Sequence, residues 1–497
     1  MKAILSAKSM AACDAATINV HKVPSLVLME RAAKAIVNHI INSYPEDYRI
    51  CVICGPGNNG GDGVAISRML NLAKRHSTII LLGDEDKYSS QLKQQIEIAE
   101  SYNFPIYHGV DKSIFDESDL FVDAMFGIGL ARGLEGEFLE AAELVNNSKK
   151  PVIAVDIPSG YDTNCGKLLG KAGVKADTTI TFAYLKKGLL LGDCKGAAGK
   201  VQVVDVGIYL DEPDKEKCFF VDKDILKKMP KREVTANKGT CGKLLVIAGS
   251  SSIYGACYLS AKAAITAGAG LVKIFTHKNN VASIQQALPE AMYYGYEAFE
   301  EKQLLEEMKW VDAILIGPGL GTSETAENIV NTVLKNSTVP VIIDADGLNI
   351  CSKNLELLKE CAKSNKIIVT PHLKEMERLT GVPVDEINYS MEKVARDFSS
   401  SCGVITVLKN FTTLITDGNI IHYNGSGNQS LATPGSGDVL AGIIGGLLVQ
   451  GIKPYKAAVA GAYYHGTCGE YVSKRVGIKG VLASDIIEEM AKINVLT

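Results

Sequence analysis

From residue 49 onward, short and wholly apolar runs alternate with stretches whose apolar side chains recur at helical spacing. "RICVICG" is followed by Ile66, Met69, Leu70 and Ala73 on one helical face, then "STIILLG", a helix near 89 to 102, and "DLFVDAMFG". "PVIAVDIPSG", "TTITFAY" and "KVQVVDVG" continue the series. A strand apolar on both faces must be buried on both, which helices laid over each side of a sheet achieve. The pattern therefore predicts a mainly parallel, helix-covered α/β sheet.

Charges crowd and periodicity lapses after Gly207, and a linker is expected near 211 to 222. The pattern then restarts with "GKLLVIAGSS", the helix "GACYLSAKAAITAGAG", "LVKIFT", "VDAILIGPGLG", "VPVIIDADGL", "KIIVTPH", "GVITVLKN" and "TTLITDG". Two small-residue helices, 438–449 and 455–472, close the chain. A length of 497 residues suits such a division. We expect an N-terminal Rossmann-like layered sheet over 1–212 and a second α/β domain over 222–497.

With 52 basic and 56 acidic residues and a net charge of −4, the chain lacks the concentrated Lys and Arg that nucleic acid or an anionic membrane requires. Its partners are expected to be small molecules. Twelve scattered cysteines do not form a disulfide framework and read as reduced thiols, Cys51 and Cys54 pointing to opposite faces of one strand. "MKAILSAKSM" is too short for a signal h-region and no apolar run spans a bilayer, so a cytoplasmic protein is expected.

"GPGNNGGDG" follows the first buried strand and opens a helix. Its first six residues match a dinucleotide fingerprint, but Asn58, Asn59 and Asp62 crowd the helix entrance, and an ionised Asp62 would oppose a pyrophosphate there. Amide and carboxylate oxygens suit hydroxyls, amides or a hard cation; the plainer alternative is a tight turn that caps the helix. Asp123, Asp156, Ser159 and Lys186 also fall at or near strand ends. A carboxylate there can move protons on a bound ring, and oxygens of Asn59, Asp123 and Ser159 could surround a cation.

"GPGNNGGDGVAISRML", "VDAMFGIG", "VDIPSGYD" and "SLVLMERAA" resemble the NAD(P)H-hydrate epimerase family. The resemblance implies interconversion of the R and S epimers of NADHX and NADPHX, reduced cofactor hydrated at C6 of the nicotinamide ring. It also implies that the hydrate is held by Asn58, Asn59, Gly60, Gly61 and Asp62, by Gly127, Ile128, Gly129, Leu130, Ala131, Arg132 and Gly133, and by Asp156. Potassium would lie at Asn59, Asp123 and Ser159. Asp156 is the candidate proton carrier, with Lys186 as the alternative. "MERAA" departs from a family pattern nearer "MENAG", in a packing helix.

In the second half, "TPGSGDVLAGIIGG" puts Gly435, Ser436 and Gly437 at a helix start with Asp438 in its first turn. Backbone N–H groups there can hold a phosphoryl group in transfer while Asp438 accepts the proton of an attacking hydroxyl; the plainer alternative is a capped helix with close-packed glycines. "VLKNFTTLIT" offers a strand-end turn at Lys409 to Thr413, and "TPHLKEMERLTG" opens a helix with His372 and Glu375.

This set resembles the ribokinase-like superfamily and, within it, the ADP-dependent (S)-NAD(P)H-hydrate dehydratases, whose "TPH" it carries where small-molecule kinases more often have Asn. By that resemblance Gly255, Ala256, Gly319, Gly321, His372 and Asp438 face the hydrate. Lys409, Asn410, Phe411, Thr412, Thr413 and Gly437 would hold ADP as cosubstrate, with Mg²⁺. Asn410 stands where the family usually has Gly, which raises the question of a positive φ. The implied chemistry is phosphorylation of the C6 hydroxyl of the S epimer, then elimination of phosphate, giving AMP, phosphate and NAD(P)H. An epimerase on the same chain would salvage the R form. A homo-oligomer is expected. The rival readings are a vitamin-precursor kinase, a non-catalytic nucleotide-sensing module and a dehydrogenase.

Overall fold

The computed structural model describes residues 2–209 and 216–493. Residues 211–215 of the expected linker lie outside the described residues. The chain forms two compact units, Ala3–Glu216 and Lys217–Thr497.

The first unit runs β1 (Lys2–Leu5), α1 (Ala7–Asn19), α2 (Ser25–Ser43), β2 (Ile50–Cys54), α3 (Asn58–Leu72), β3 (Ser77–Leu81), α4 (Ser90–Ser101) and β4 (Ile106–His108). It continues with α5 (Lys112–Glu117), β5 (Leu120–Ala124), α6 (Gly136–Ser148), β6 (Val152–Val155), β7 (Thr178–Phe182), β8 (Leu185–Lys186), α7 (Cys194–Ala197) and β9 (Lys200–Val204). Seven strands form a parallel sheet in the order β4-β3-β2-β5-β6-β7-β9, the doubly wound order in which the chain reverses direction between β2 and β5. The crevice at their carboxyl ends is where such a sheet leaves room for a ligand. Along β2, Ile50, Val52 and Cys54 enter the core on one face, and Cys51 and Ile53 the core on the other, as strand alternation requires. β8 pairs with β1 through Ile4–Leu185 and Leu5–Lys186.

The second unit runs β10 (Cys218–Val221), β11 (Lys243–Ile247), α8 (Gly255–Thr266), β12 (Leu271–His277), α9 (Lys278–Ala287), β13 (Met292–Tyr296), α10 (Glu301–Met308), β14 (Ala313–Ile316) and α11 (Glu324–Asn336). Next come β15 (Val341–Ile343), α12 (Asp346–Cys351), α13 (Leu355–Ser364), β16 (Ile367–Val369), α14 (Leu373–Thr380), α15 (Val384–Cys402), β17 (Ile405–Leu408), β18 (Leu414–Thr416) and β19 (Ile421–Asn424). Three helices follow: α16 (Ser436–Val449), α17 (Pro454–Val476) and α18 (Ala483–Lys492). The strand order β13-β12-β11-β14-β15-β16-β17-β18-β19-β10 reverses between β11 and β14, so a second crevice opens beside the turns after those strands. Only the β17-β18 and β18-β19 pairings are antiparallel among the described strands of this unit.

β10 lies inside the stretch read as linker: "CFFV" is short and flanked by charge, so only its pairing with β19 reveals it as a strand. α16 packs hard on α8. A methyl at Gly442 would fall 2.3 Å from the Ser260 carbonyl oxygen, so the small-residue composition of these helices serves close backbone approach.

Candidate active sites

In the first unit the turn after β2 passes under the start of α3, and a Cβ at Gly60 would lie 1.9 Å from the Gly55 carbonyl oxygen. Only glycine permits that approach, which brings Asn58, Asn59 and Asp62 to the crevice. They line a cavity of 620 Å³ together with Gly127, Ile128, Gly129 and Leu130. Asp156 and Lys186 face the same space, as do Asp14 from α1 and Lys87 from the segment after β3. Gly60 and Gly61 pack behind it, Gly61 against Met29. Ala131 and Arg132 are exposed, Gly133 lies against Gly170, and none of these five residues lines the cavity.

Asp156 sits just past β6 with φ +68°, a backbone conformation that costs a non-glycine residue about 1–3 kcal/mol and is tolerated where the surroundings hold it in place. Its Oδ1 accepts from Thr181 Oγ1 at 2.9 Å, the Phe182 N–H at 3.2 Å and Lys186 Nζ at 2.5 Å. Lys186 is 1% exposed and also donates to Thr181 Oγ1 and the Phe182 carbonyl, at 2.9 and 2.8 Å. All three of its N–H bonds are occupied, so it orients Asp156 and has no proton directed at the cavity.

Asp62 does not behave as the sequence suggested. Burial first, then the nearby Asp156 and Asp14, push its carboxyl well above the usual range, so the neutral form is favoured and an ionised group repelling a pyrophosphate is not what this helix entrance presents. Asp14 is raised in the same direction, by burial and then by Asp156.

Asp123 and Ser159 meet at the ends of β5 and β6. Asp123 accepts from the Ser159 N–H at 2.8 Å, Ser159 Oγ at 2.7 Å and the Met125 N–H at 3.2 Å, all neutral donors. Burial pushes this 1%-exposed carboxyl up to about 6. Asn59 lies against Gly127, and its buried Nδ2 has no hydrogen-bond partner. The Asp123 carboxylate thus has no basic partner among the described residues, while the unsatisfied Asn59 Nδ2 is a hydrogen-bond donor left open for an acceptor oxygen.

In the second unit the counterpart site forms around Asp438, in the first turn of α16. Lys409 Nζ donates to Asp344 Oδ1 at 2.9 Å, and Thr370 Oγ1 to the same oxygen at 2.6 Å. A Cβ at Gly437 would lie 3.4 Å from Lys409 Nζ and 3.9 Å from Asp344 Oδ2, so the ion pair sits directly against the glycine turn. Burial, then Asp344, pushes Asp438 up to about 7, with Lys409 opposing and Asp346 adding. Ser436 Oγ lies 3.1 Å from His465 Nε2, and burial pushes that imidazole down to about 4, leaving it neutral.

Gly319 approaches Ala256 on α8, and the Gly321 N–H donates to Asp346 Oδ2 at 2.8 Å, linking the turns after β14 and β15. Ala345, between the two aspartates, has φ +50°, a second strained residue at a site. His372 pairs along the backbone with Lys409, while its Nδ1 accepts from the Lys374 and Glu375 N–H groups and caps α14. Asn410 turns away, its Nδ2 donating to Asn388 Oδ1 at 3.0 Å. It is not among the residues of positive φ, so the missing glycine imposes no strain. Phe411 is 49% exposed, and Thr412 is buried.

Asp14 and His465 were not singled out from the sequence; Asp344 and Asp346 fall in the "DADGL" motif at 344–348, which was noted there without a role for either residue. Asp14 and His465 have no local signal: only folding brings them to these sites.

Residues 244–492 match the NAD(P)H-hydrate dehydratase family and residues 25–188 the YjeF-related protein N-terminus family. A bifunctional NAD(P)H-hydrate repair enzyme of Escherichia coli (strain K12) is 33% identical over 472 residues, covering 94% of this chain and 89% of the relative. Another, from Moorella thermoacetica, is 30% identical over 512 residues, covering 98% and 95%. Among solved structures, a ribokinase-like superfamily protein of Enterococcus faecalis V583 is 30% identical with a TM-score of 0.50, covering 57% of this chain and 96% of that one. Matched along nearly its whole length by such relatives, the chain belongs to the family of bifunctional NAD(P)H-hydrate repair enzymes.

Proposed function

We propose that the two activities of the family are divided between the two units, epimerisation in the cavity of the first and dehydration around Asp438 in the second. As a member of that family the chain repairs hydrated NAD(P)H by epimerising it and dehydrating it in an ADP-dependent reaction.

The observation that carries the second assignment is a buried carboxyl, pushed up to about 7, beside an ammonium at a glycine-rich helix start. Asp438 takes the proton of the C6 hydroxyl of the S hydrate as the hydroxyl oxygen attacks the β-phosphorus of ADP, and AMP leaves. The N1 lone pair then expels phosphate from C6 while C5 loses a proton, giving NAD(P)H. Hydroxide is a poor leaving group and phosphate a good one, which is why a nucleotide is consumed at all. Lys409 and the Gly437 N–H hold the phosphates, with Gly255, Ala256, Gly319, Gly321 and His372 toward the hydrate and the Asn410–Thr413 turn toward ADP. Mg²⁺, held with the nucleotide beside Lys409, would supply charge neutralisation to the phosphates.

In the first unit Asp156 accepts the C6 hydroxyl proton when the ring opens, its carboxyl oriented by Lys186. Asn59, Asp123 and Ser159 would hold K⁺, whose charge there would balance the buried carboxylate. The same reading takes NADHX and NADPHX as substrates in the cytoplasm, supported by twelve cysteines, none of them in a disulfide. It makes the chain a homo-oligomer, supported by sheet edges at β4 and β9 that end the seven-stranded sheet.

The test supplies the full chain with ADP, Mg²⁺ and an acid-generated mixture of R- and S-NADHX, and follows the reduced nicotinamide absorbance. Complete conversion faster than spontaneous epimerisation is expected. Arrest after the S fraction overturns the epimerase assignment, and no conversion of either epimer overturns the dehydratase assignment.

A further inference from the structure

Opening the hydrated ring demands two proton carriers. When the C6–N1 bond of the hemiaminal breaks, the hydroxyl proton leaves and C6 becomes an aldehyde carbon. The bonding pair goes to N1, which takes up a proton. After rotation about C5–C6 the same steps run backwards on the other face, with no net change in protons. Asp156 serves the hydroxyl; something else must serve N1. Lys186 cannot, since its three N–H bonds go to Asp156, Thr181 and Phe182.

The other charged groups facing the cavity are Asp14 from α1, Asp62 from α3 and Lys87 from the segment after β3. Lys87 is largely exposed and paired with Asp84. Asp62 lines the cavity from the first turns of α3 and has no hydrogen bond or ion pair to its side chain among the described residues.

We propose that Asp62 is the second catalytic group of the epimerase cavity, giving a proton to N1 as the ring opens and recovering it as the ring closes. This rests on the epimerase reading above and adds to it the identity of the acid. The environment supports the role. Burial, then Asp156 and Asp14, favours the protonated carboxyl of Asp62, whereas Asp156 faces the same cavity in contact with the Lys186 ammonium, and two carboxyls in such unlike surroundings are the usual composition of an acid–base couple. Cys54, on β2 beneath them, is fully buried and its thiol is raised far above its ordinary value, so it contributes no charge.

The experiment uses the full chain with R-NADHX, ADP and Mg²⁺, with spontaneous epimerisation subtracted and each rate normalised to S-NADHX consumption by the same preparation. Asp62→Asn is expected to lower kcat for the R epimer ~100-fold or more. Its KM should move by less than roughly threefold, and the alkaline limb of its pH profile should disappear. Asp14→Asn, which removes a like charge, should move the wild-type alkaline limb to lower pH, a readout that does not depend on the Asp62 variant folding. An Asp62→Asn rate within about threefold of wild type overturns the proposal, as does a slow variant that keeps the alkaline limb, or an Asp14→Asn limb that does not move. If Asp156→Asn converts R-NADHX at the wild-type rate, the epimerase reading itself falls; an inactive Asp156→Asn beside an active Asp62→Asn removes only the acid assigned here.

Discussion

Asp344 Oδ1 holds Lys409 Nζ at 2.9 Å, and the pair lies against the backbone of Gly437, the residue before Asp438. One buried carboxylate thus aims the ammonium proposed to meet phosphate and also raises the proton affinity of the carboxylate proposed as base. The two effects are separable by experiment.

Asp438 is pushed up to about 7, and a base works only when ionised, so kcat/KM for S-NADHX should fall as pH drops through about 7. Asp438→Asn should cost ~10²–10⁴ in rate. Because the folded protein binds this proton more tightly than the unfolded chain, the group's favourable contribution is complete below the ordinary carboxylate range and is lost as pH rises through about 7. Above pH 7 the Asn variant should therefore melt higher than wild type. A wild-type profile flat from pH 5 to 9 would remove Asp438 as the base.

Asp344→Asn deletes the like charge beside Asp438, so the acidic limb should move to lower pH. It also releases Lys409, so KM for ADP should rise ~10- to 100-fold, on the scale of one charge-assisted hydrogen bond of about 1.5–3 kcal/mol. An unchanged limb with an unchanged KM would show that Asp344 acts on neither group.

Lys186→Met leaves the Asp156 carboxylate facing the cavity without its cation. Breaking a buried pair from one side typically costs about 3–5 kcal/mol, so denaturant unfolding should report a loss of that order. R-NADHX conversion should disappear with it. A stable, active Lys186→Met would mean that the 2.5 Å contact neither supports the fold nor orients the base.

If Asn59, Asp123 and Ser159 hold potassium, KCl should raise the melting temperature of the wild-type chain above that in an equal concentration of tetramethylammonium chloride, and Asp123→Asn should abolish the difference. Equal melting temperatures in the two salts for wild type would count against a cation here.

Much of both sites was readable along the chain because the signals are local. A buried strand followed by glycines and then a helix marks a ligand-bearing turn at Asn58, a carboxylate at a buried strand end marks Asp123 and Asp156, and a glycine-flanked helix start marks Asp438. Short strands were less legible. β4, β8 and β13 have two to five residues with mixed burial or too little length for a period to emerge, and β10 hid among charges.

By itself the sequence determined the two parallel α/β layers, the turns that bear the sites and the family, since apolar periodicity and turn chemistry depend on residues a few positions apart. Tertiary structure alone decided which carboxyls face one another and which of them keep a proton. Asp14 reaches Asp62 and Asp156 from α1, Asp344 reaches Asp438 from the end of β15, and His465 reaches Ser436 from α17. Desolvation and Coulomb interaction depend on distance and burial in space, and no stretch of neighbouring residues encodes either.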